Sequence, residues 1–302
     1  MTNHPMVGPT GPTTLARTAD GTAGRATGRA PGWVHDVDFA VTVARRAGAA
    51  MRAGRGAAAT DKPDGTPVTD VDRAVGAMVA QVVAHERPTD AVLGEEDTTR
   101  RGGPCPGRLW VCDPVDGTGL FAADVPLSMF SLALLDDGVP VVAVVHDPWT
   151  DRMFHAVAGG GAFLDDAPIA VNSRPDLAGS RFRLPGGRRS AGIDFPGLLT
   201  DVLRAGGELM NAGSVIYDAM SVACGYGTGL VYSRTGPWDM AAVALIVAEA
   251  GGRVTDLHGK DVLTGDGSVL ATNGRLHDEL LGLVAGIPHG RDFRALREGA
   301  AR

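Results

Sequence analysis

The stretch Leu109-Trp110-Val111-Cys112-Asp113-Pro114-Val115-Asp116-Gly117-Thr118 constrains this chain more than any other. Leu109 to Cys112 is an apolar run with the composition of a buried strand. A tight turn follows it, stiffened by Pro114 and opened by Gly117 to close backbone approach. That strand and turn aim Asp113 and Asp116 to one side, with the Thr118 hydroxyl beside them. Clustered carboxylates repel unless a cation lies between them. Hard oxygen donors at a strand end suit Mg²⁺, with a substrate phosphate completing its shell. The expected chemistry is metal-assisted work on a phosphate.

Around this segment the pattern is mixed. Val34, Val37, Val41, Ala44, Gly48 and Met51 recur at helical spacing. Thr69 caps a second helix carrying Val71, Val75, Met78, Val79 and Val82 on one stripe, with Pro88 as its stop. From Ser128 to Val171 the signal changes to short strands. Asp136-Asp137-Gly138 is a hairpin turn, and Ile169 to Val171 closes the meander. Helices at 195–205, 214–223 and 239–250 then alternate with strands at 229–232, 253–256 and 268–272, and a last helix begins after Asn273. Ser173 to Gly192, rich in Arg, Gly, Ser and Pro, marks a boundary near Pro175. The expected organisation is a tail over 1–32, an α+β half with an antiparallel sheet over 33–175, an α/β half over 176–290 and a tail over 291–302.

Two further acidic sites sharpen the reading. Gly94-Glu95-Glu96 follows the short strand Ala91 to Leu93, and Gly236-Pro237-Trp238-Asp239 opens a long apolar helix. With Asp-Pro-Val-Asp-Gly-Thr between them, and Val68-Thr69-Asp70-Val71-Asp72 upstream, the chain resembles the inositol monophosphatase superfamily from about residue 34 to 285. Four motifs in order are far more specific than any one. The resemblance implies a layered α-β-α-β-α sandwich with its site between the halves, and a lithium-sensitive, Mg²⁺-dependent phosphomonoesterase. It implies Glu95, Asp113, Asp116, Asp239 and the Val115 carbonyl as ligands of two or three Mg²⁺ ions. Two metals roughly 3.5 to 4 Å apart stabilise both attacking and leaving oxygens. Thr118, with Glu95 and Asp72 as catalytic partners, would position the water, and the N–H groups of Gly117, Thr118 and Gly119 would bind the phosphate. A homodimer is implied by the family alone.

Several of these residues also have plain structural readings. Asp72 and Thr69 fit a capping box, and Asp239 fits a first-turn acid favoured by the helix dipole. Lys62 reads as a surface lysine; His146, His155 and His258 read as structural residues without partners, and Cys112 as core. The chain also departs from the family. Gly119-Leu120-Phe121 replaces the usual polar residues after Asp-Gly-Thr, and Tyr232 stands where inositol-specific members place a ring-contacting Glu. Ser214, Tyr232 and Arg234 are the candidate substrate contacts, and the substrate class spans inositol, sugar, histidinol and nucleoside monophosphates.

Two other readings compete. An aspartyl-nucleophile phosphatase needs Asp-x-Asp, and Val115 stands where its second Asp belongs. A catalytically silent phosphate- or metal-binding protein of the same fold is the alternative from another class; retention of every expected carboxylate argues against it, since unused clustered acids only cost stability.

Composition limits the partners. With 35 acidic and 28 basic residues and a net charge of −7, a nucleic-acid-binding surface is not expected. Three cysteines without paired spacing favour a reducing compartment, and cytoplasmic location is the expectation. No apolar run is long enough to cross a membrane. Residues 1–32 combine Gly, Thr, Pro and Arg with a single acid, Asp20, and are expected to be disordered.

Overall fold

A computed structural model describes residues 32–96, 107–184 and 195–285. Apart from Gly32, the two tails expected from sequence lie outside the described residues, as does Cys105.

Helices α1 (Val34–Ala53) and α2 (Asp70–Glu86) flank a hairpin of β1 (Ala59–Asp61) and β2 (Pro67–Thr69). A seven-stranded sheet follows in chain order. Its strands are β3 (Ala91–Gly94), β4 (Arg108–Asp116), β5 (Met129–Asp136), β6 (Val139–Asp147), β7 (Arg152–Val157), β8 (Gly161–Leu164) and β9 (Ala167–Ile169). Only β3 and β4 run parallel; the rest is an antiparallel meander. The short helix α3 (Thr118–Ala122) sits between β4 and β5. The later elements are β10 (Arg181–Arg183), α4 (Phe195–Arg204), β11 (Glu208–Met210), α5 (Val215–Ala223), β12 (Gly229–Tyr232), α6 (Pro237–Glu249), β13 (Arg253–Thr255), β14 (Val269–Thr272) and α7 (His277–Ala285). Their five strands form a mixed sheet ordered β11-β10-β12-β14-β13.

Strand alternation sorts the core into layers. On β4, Trp110, Cys112 and Val115 join Phe39, Val43 and Met51 of α1 and Val75 and Val79 of α2. Leu109 and Val111 face the opposite way, toward Ile216 and Met220 of α5 and Val243 and Ile246 of α6. The far side of that helical layer meets Leu230 and Tyr232 of β12 and Val269 and Ala271 of β14. Val231 and Leu270 point outward to Leu198 and Val202 of α4 and to Leu280 and Val284 of α7. The result is the expected α-β-α-β-α sandwich. Helix α6 is apolar on nearly every side because both its flanks are sheets.

Four local expectations change. The strand expected to end at Cys112 continues through Asp116, so the two aspartates sit on a strand and not in a turn beyond it. Strand β9 is Ala167–Ile169, and the Val171 N–H bonds instead to Ala250 O at 3.0 Å. Strands β1, β2, β10 and β11 were not expected, because three residues are too few to show a period. Strand β10 falls inside the stretch read as a boundary, where pairing with β11 and β12 holds it.

Candidate active site

Asp113 and Asp116 are three residues apart, so an ideal strand would send them to opposite faces. On β4 three steps from Asp113 to Asp116 face two on β5, from Ser131 to Met129. That extra residue is a bulge, and it resets the alternation. Val115 turns into the α1–α2 core while both carboxylates face the α5–α6 layer. Parallel pairing of Gly94 with Cys112 brings Glu95 beside them, its N–H bonding to Cys112 O at 3.2 Å. Asp239 arrives from the first turn of α6, where Gly236 N–H donates to its Oδ2 at 2.6 Å and Pro237 takes a position that needs no N–H donor.

Carboxylate oxygens of Asp113, Asp116 and Asp239 all lie within 4.8 Å of one another, and all three residues are buried. Burial pushes the Asp113 carboxyl well above the usual carboxylate range, and Glu95, Asp116, Asp239 and Asp72 push it further. Glu95 is raised to about 7, first by burial and then by Asp239 and Glu96, against the opposing pull of Lys62. Such an oxygen-only acidic set fits a hard divalent cation, since neighbouring donors satisfy only part of its negative charge.

Around the cluster stand residues that orient it. Asp116 Oδ2 accepts from the Ser214 hydroxyl and from Ile216 N–H at 2.8 Å, so the start of α5 fixes that carboxylate. Ser214 is fully buried, and its hydroxyl also accepts from Tyr217 N–H at 3.0 Å. Asp72 caps its helix and also holds Thr118. Its Oδ2 takes the Thr69 N–H at 2.9 Å as half of a capping box, while Oδ1 takes the Thr118 hydroxyl at 2.9 Å. Thr118 Oγ also lies 3.0 Å from Val115 O. A hydroxyl has one proton; given to Asp72, it leaves the Val115 carbonyl free to act as a ligand. Gly117 has φ 82°, and a Cβ there would lie 3.2 Å from Ser214 Cβ, so glycine lets the loop approach α5. The N–H groups of Thr118 and Gly119 open α3 and have no intrahelical partner.

Lys62 is not a surface lysine. Its side chain is 16% exposed, with Nζ 2.8 Å from Glu95 Oε1 and 2.5 Å from Glu96 Oε1. Sequence spacing gave no warning, because the β1–β2 hairpin is what carries Lys62 to the site. Tyr232 and Arg234 do not line the cluster as a pair. Tyr232 is 1% exposed and donates to Asp218 Oδ2 at 2.6 Å, whereas Arg234 is exposed in the left-handed region at φ 58°. The histidines read as partnerless have partners. His146 lies 3.1 Å from Ala44 O and 3.2 Å from Asp151 Oδ1, His155 stacks on Phe163, and His258 lies 3.2 Å from Asp266.

Among the described residues no helix is long and apolar enough to cross a membrane. The sequence profile of the inositol monophosphatase family matches residues 33–289. A histidinol-phosphatase of Mycobacterium tuberculosis is 41% identical over 234 residues, covering 73% of this chain and 85% of its own. An inositol-1-monophosphatase of Synechocystis is 33% identical, covering 74% and 78%. The structure of a Thermotoga maritima IMPase superposes with a TM-score of 0.75 at 29% identity, over 83% of this chain and 97% of its own. The layer order, the acidic motifs and these likenesses agree: the chain belongs to the inositol monophosphatase family of phosphoric monoester hydrolases.

Proposed function

We propose that this protein hydrolyses a small-molecule phosphate monoester at the Asp113–Asp116–Asp239 cluster with Mg²⁺ as its metal. The observation that carries the reading is that buried cluster, beside a glycine turn whose N–H groups suit phosphate oxygens. Asp113, Asp116, Asp239, Glu95 and the Val115 carbonyl would hold the metal. When bound, Mg²⁺ supplies charge stabilisation to the phosphoryl oxygens and a more acidic water. The chain's own residues do the rest. Asp72 holds the Thr118 proton, so the Thr118 oxygen keeps lone pairs to accept a hydrogen from the attacking water and orient it. Gly117, Thr118 and Gly119 would bind the phosphate through their N–H groups.

Among candidate esters, histidinol phosphate is favoured over inositol phosphate. The relative at 41% identity is named a histidinol-phosphatase, and Tyr232 offers no carboxylate to ring hydroxyls, its own hydroxyl being held by Asp218. The test is phosphate release with and without Mg²⁺ across histidinol, inositol, sugar and nucleoside monophosphates. Metal-dependent release with the highest kcat/KM on histidinol phosphate is expected. Release from none, despite Mg²⁺ binding, would return the reading to a silent binding protein.

A further inference from the structure

Away from the Asp113–Asp116–Asp239 cluster, a cavity of about 470 Å³ opens between the β5–β7 face and α5, a volume in the range of small-molecule sites. Met129, Phe154, Met210 and Met220 give it apolar walls, and Arg152 and Arg183 give it charge. Arg183 is the unusual member. It is 3% exposed, its Nε donates to Ser221 Oγ at 3.1 Å, and the same Nε lies 3.5 Å from Asp218 Oδ1. Its two terminal amino groups make no hydrogen bond among the described residues. Asp218 lies by the Nε edge, and its oxygens accept hydrogen bonds from the Tyr232 hydroxyl and the Ala212 N–H. Arg152 differs, with Nε and Nη2 already given to Thr150 and Asp147.

We propose that this cavity binds a small organic carboxylate with an apolar body, the carboxylate pairing with the terminal nitrogens of Arg183. A buried guanidinium left with unused donors is costly, and its planar fork matches a carboxylate in two parallel hydrogen bonds. The Tyr226 ring, 5.4 Å from the Arg183 guanidinium carbon, holds the plane of that fork. A single free fork among apolar walls selects one negative charge on an apolar body over a phosphate or a nucleotide. The proposal does not depend on the reaction at the carboxylate cluster.

The test is titration of the full chain with 2-naphthoate, followed by calorimetry, with saturating Mg²⁺ and inorganic phosphate present to fill the catalytic site. Saturable binding at one site is expected, weakened roughly tenfold or more for 2-naphthamide and for Arg183→Lys, which keeps a cation beside Asp218. Cys224→Trp, which fills the cavity from the end of α5, is expected to abolish binding while thermal melting and phosphate release persist. Equal affinity for acid and amide, binding that survives both variants, or no saturable binding of 2-naphthoate would each overturn the proposal. So would a dimer in sedimentation that Cys224→Trp dissociates without any naphthoate binding, which would give the cavity to a side chain of a second copy.

Discussion

At the end of β4, Asp113 is ringed by Glu95, Asp116, Asp239 and Asp72; on α5, Asp218 is ringed by the Tyr232 hydroxyl, the Ala212 N–H and Arg183. Both carboxylates are buried, and burial is the largest influence raising both. Their neighbours then act in opposite directions. Around Asp113 the nearby acids push the carboxyl further up, so its ionised form is disfavoured until a cation neutralises the cluster. Around Asp218 every other influence pulls down, leaving it at about 6. The first arrangement is built for an occupant, and the second ties β10, β12 and the loop before α5 together.

The sharpest break of that comparison is Asp116→Asn. The amide still accepts from Ser214 and Ile216, so the fold is expected to persist while metal-dependent phosphate release falls by roughly 10²-fold or more. Near-normal release would remove Asp116 from the ligand set. Asp218→Ala should do the reverse. Removing one partner of a buried pair leaves Arg183 uncompensated and costs about 3 kcal/mol in chemical denaturation. Unchanged stability there would show that the tie is decorative.

Acidity separates the clusters less steeply. Glu95, near 7, and Asp218, near 6, both titrate in the folded state above their ordinary values of 4.5 and 3.8. The folded state therefore binds more protons than the unfolded one, and stability falls as pH rises through about 4 to 7. Melting of metal-free protein in chelator should lose ground across that window, and Mg²⁺ should restore it at the upper end. A melting temperature that climbs with pH in chelator would contradict this. The smallest expected effect is Tyr232→Phe, which removes one hydrogen bond to a carboxylate. A loss of about 2 kcal/mol is expected, with the KM for whichever phosphate ester the protein hydrolyses best unchanged. A rise in KM alone would instead make Tyr232 a substrate contact.

Legibility in the sequence followed local spacing. The capping box at Thr69 and Asp72, the hairpin at Asp137-Gly138 and the helix opening at Gly236-Pro237 each depend on residues a few positions apart, and each appears in the structure. Lys62, Ser214 and Tyr232 were misplaced or underrated because their partners are distant. Lys62 meets Glu95 across 33 positions and Ser214 meets Asp116 across 98. Tyr232 sits on a strand whose inward face is fixed by pairing with β14, which sends its hydroxyl to Asp218 and away from solvent.

By itself the sequence determined the run of elements, an α+β half followed by an α/β half, through alternation and amphipathic stripes, and the nearness of Asp113 to Asp116 through one local motif; the layered sandwich and the approach of Glu95 and Asp239 were implied by the family resemblance. Only the tertiary structure decided which way those groups point. The bulge in β4 turns Asp116 to the side of Asp113, and the β1–β2 hairpin carries Lys62 to Glu95. Packing of α5 against the sheet places Arg183 in the wall of a cavity. Spacing along a chain fixes period and propensity, but pairing register and helix docking are long-range contacts, and these set the direction of each side chain.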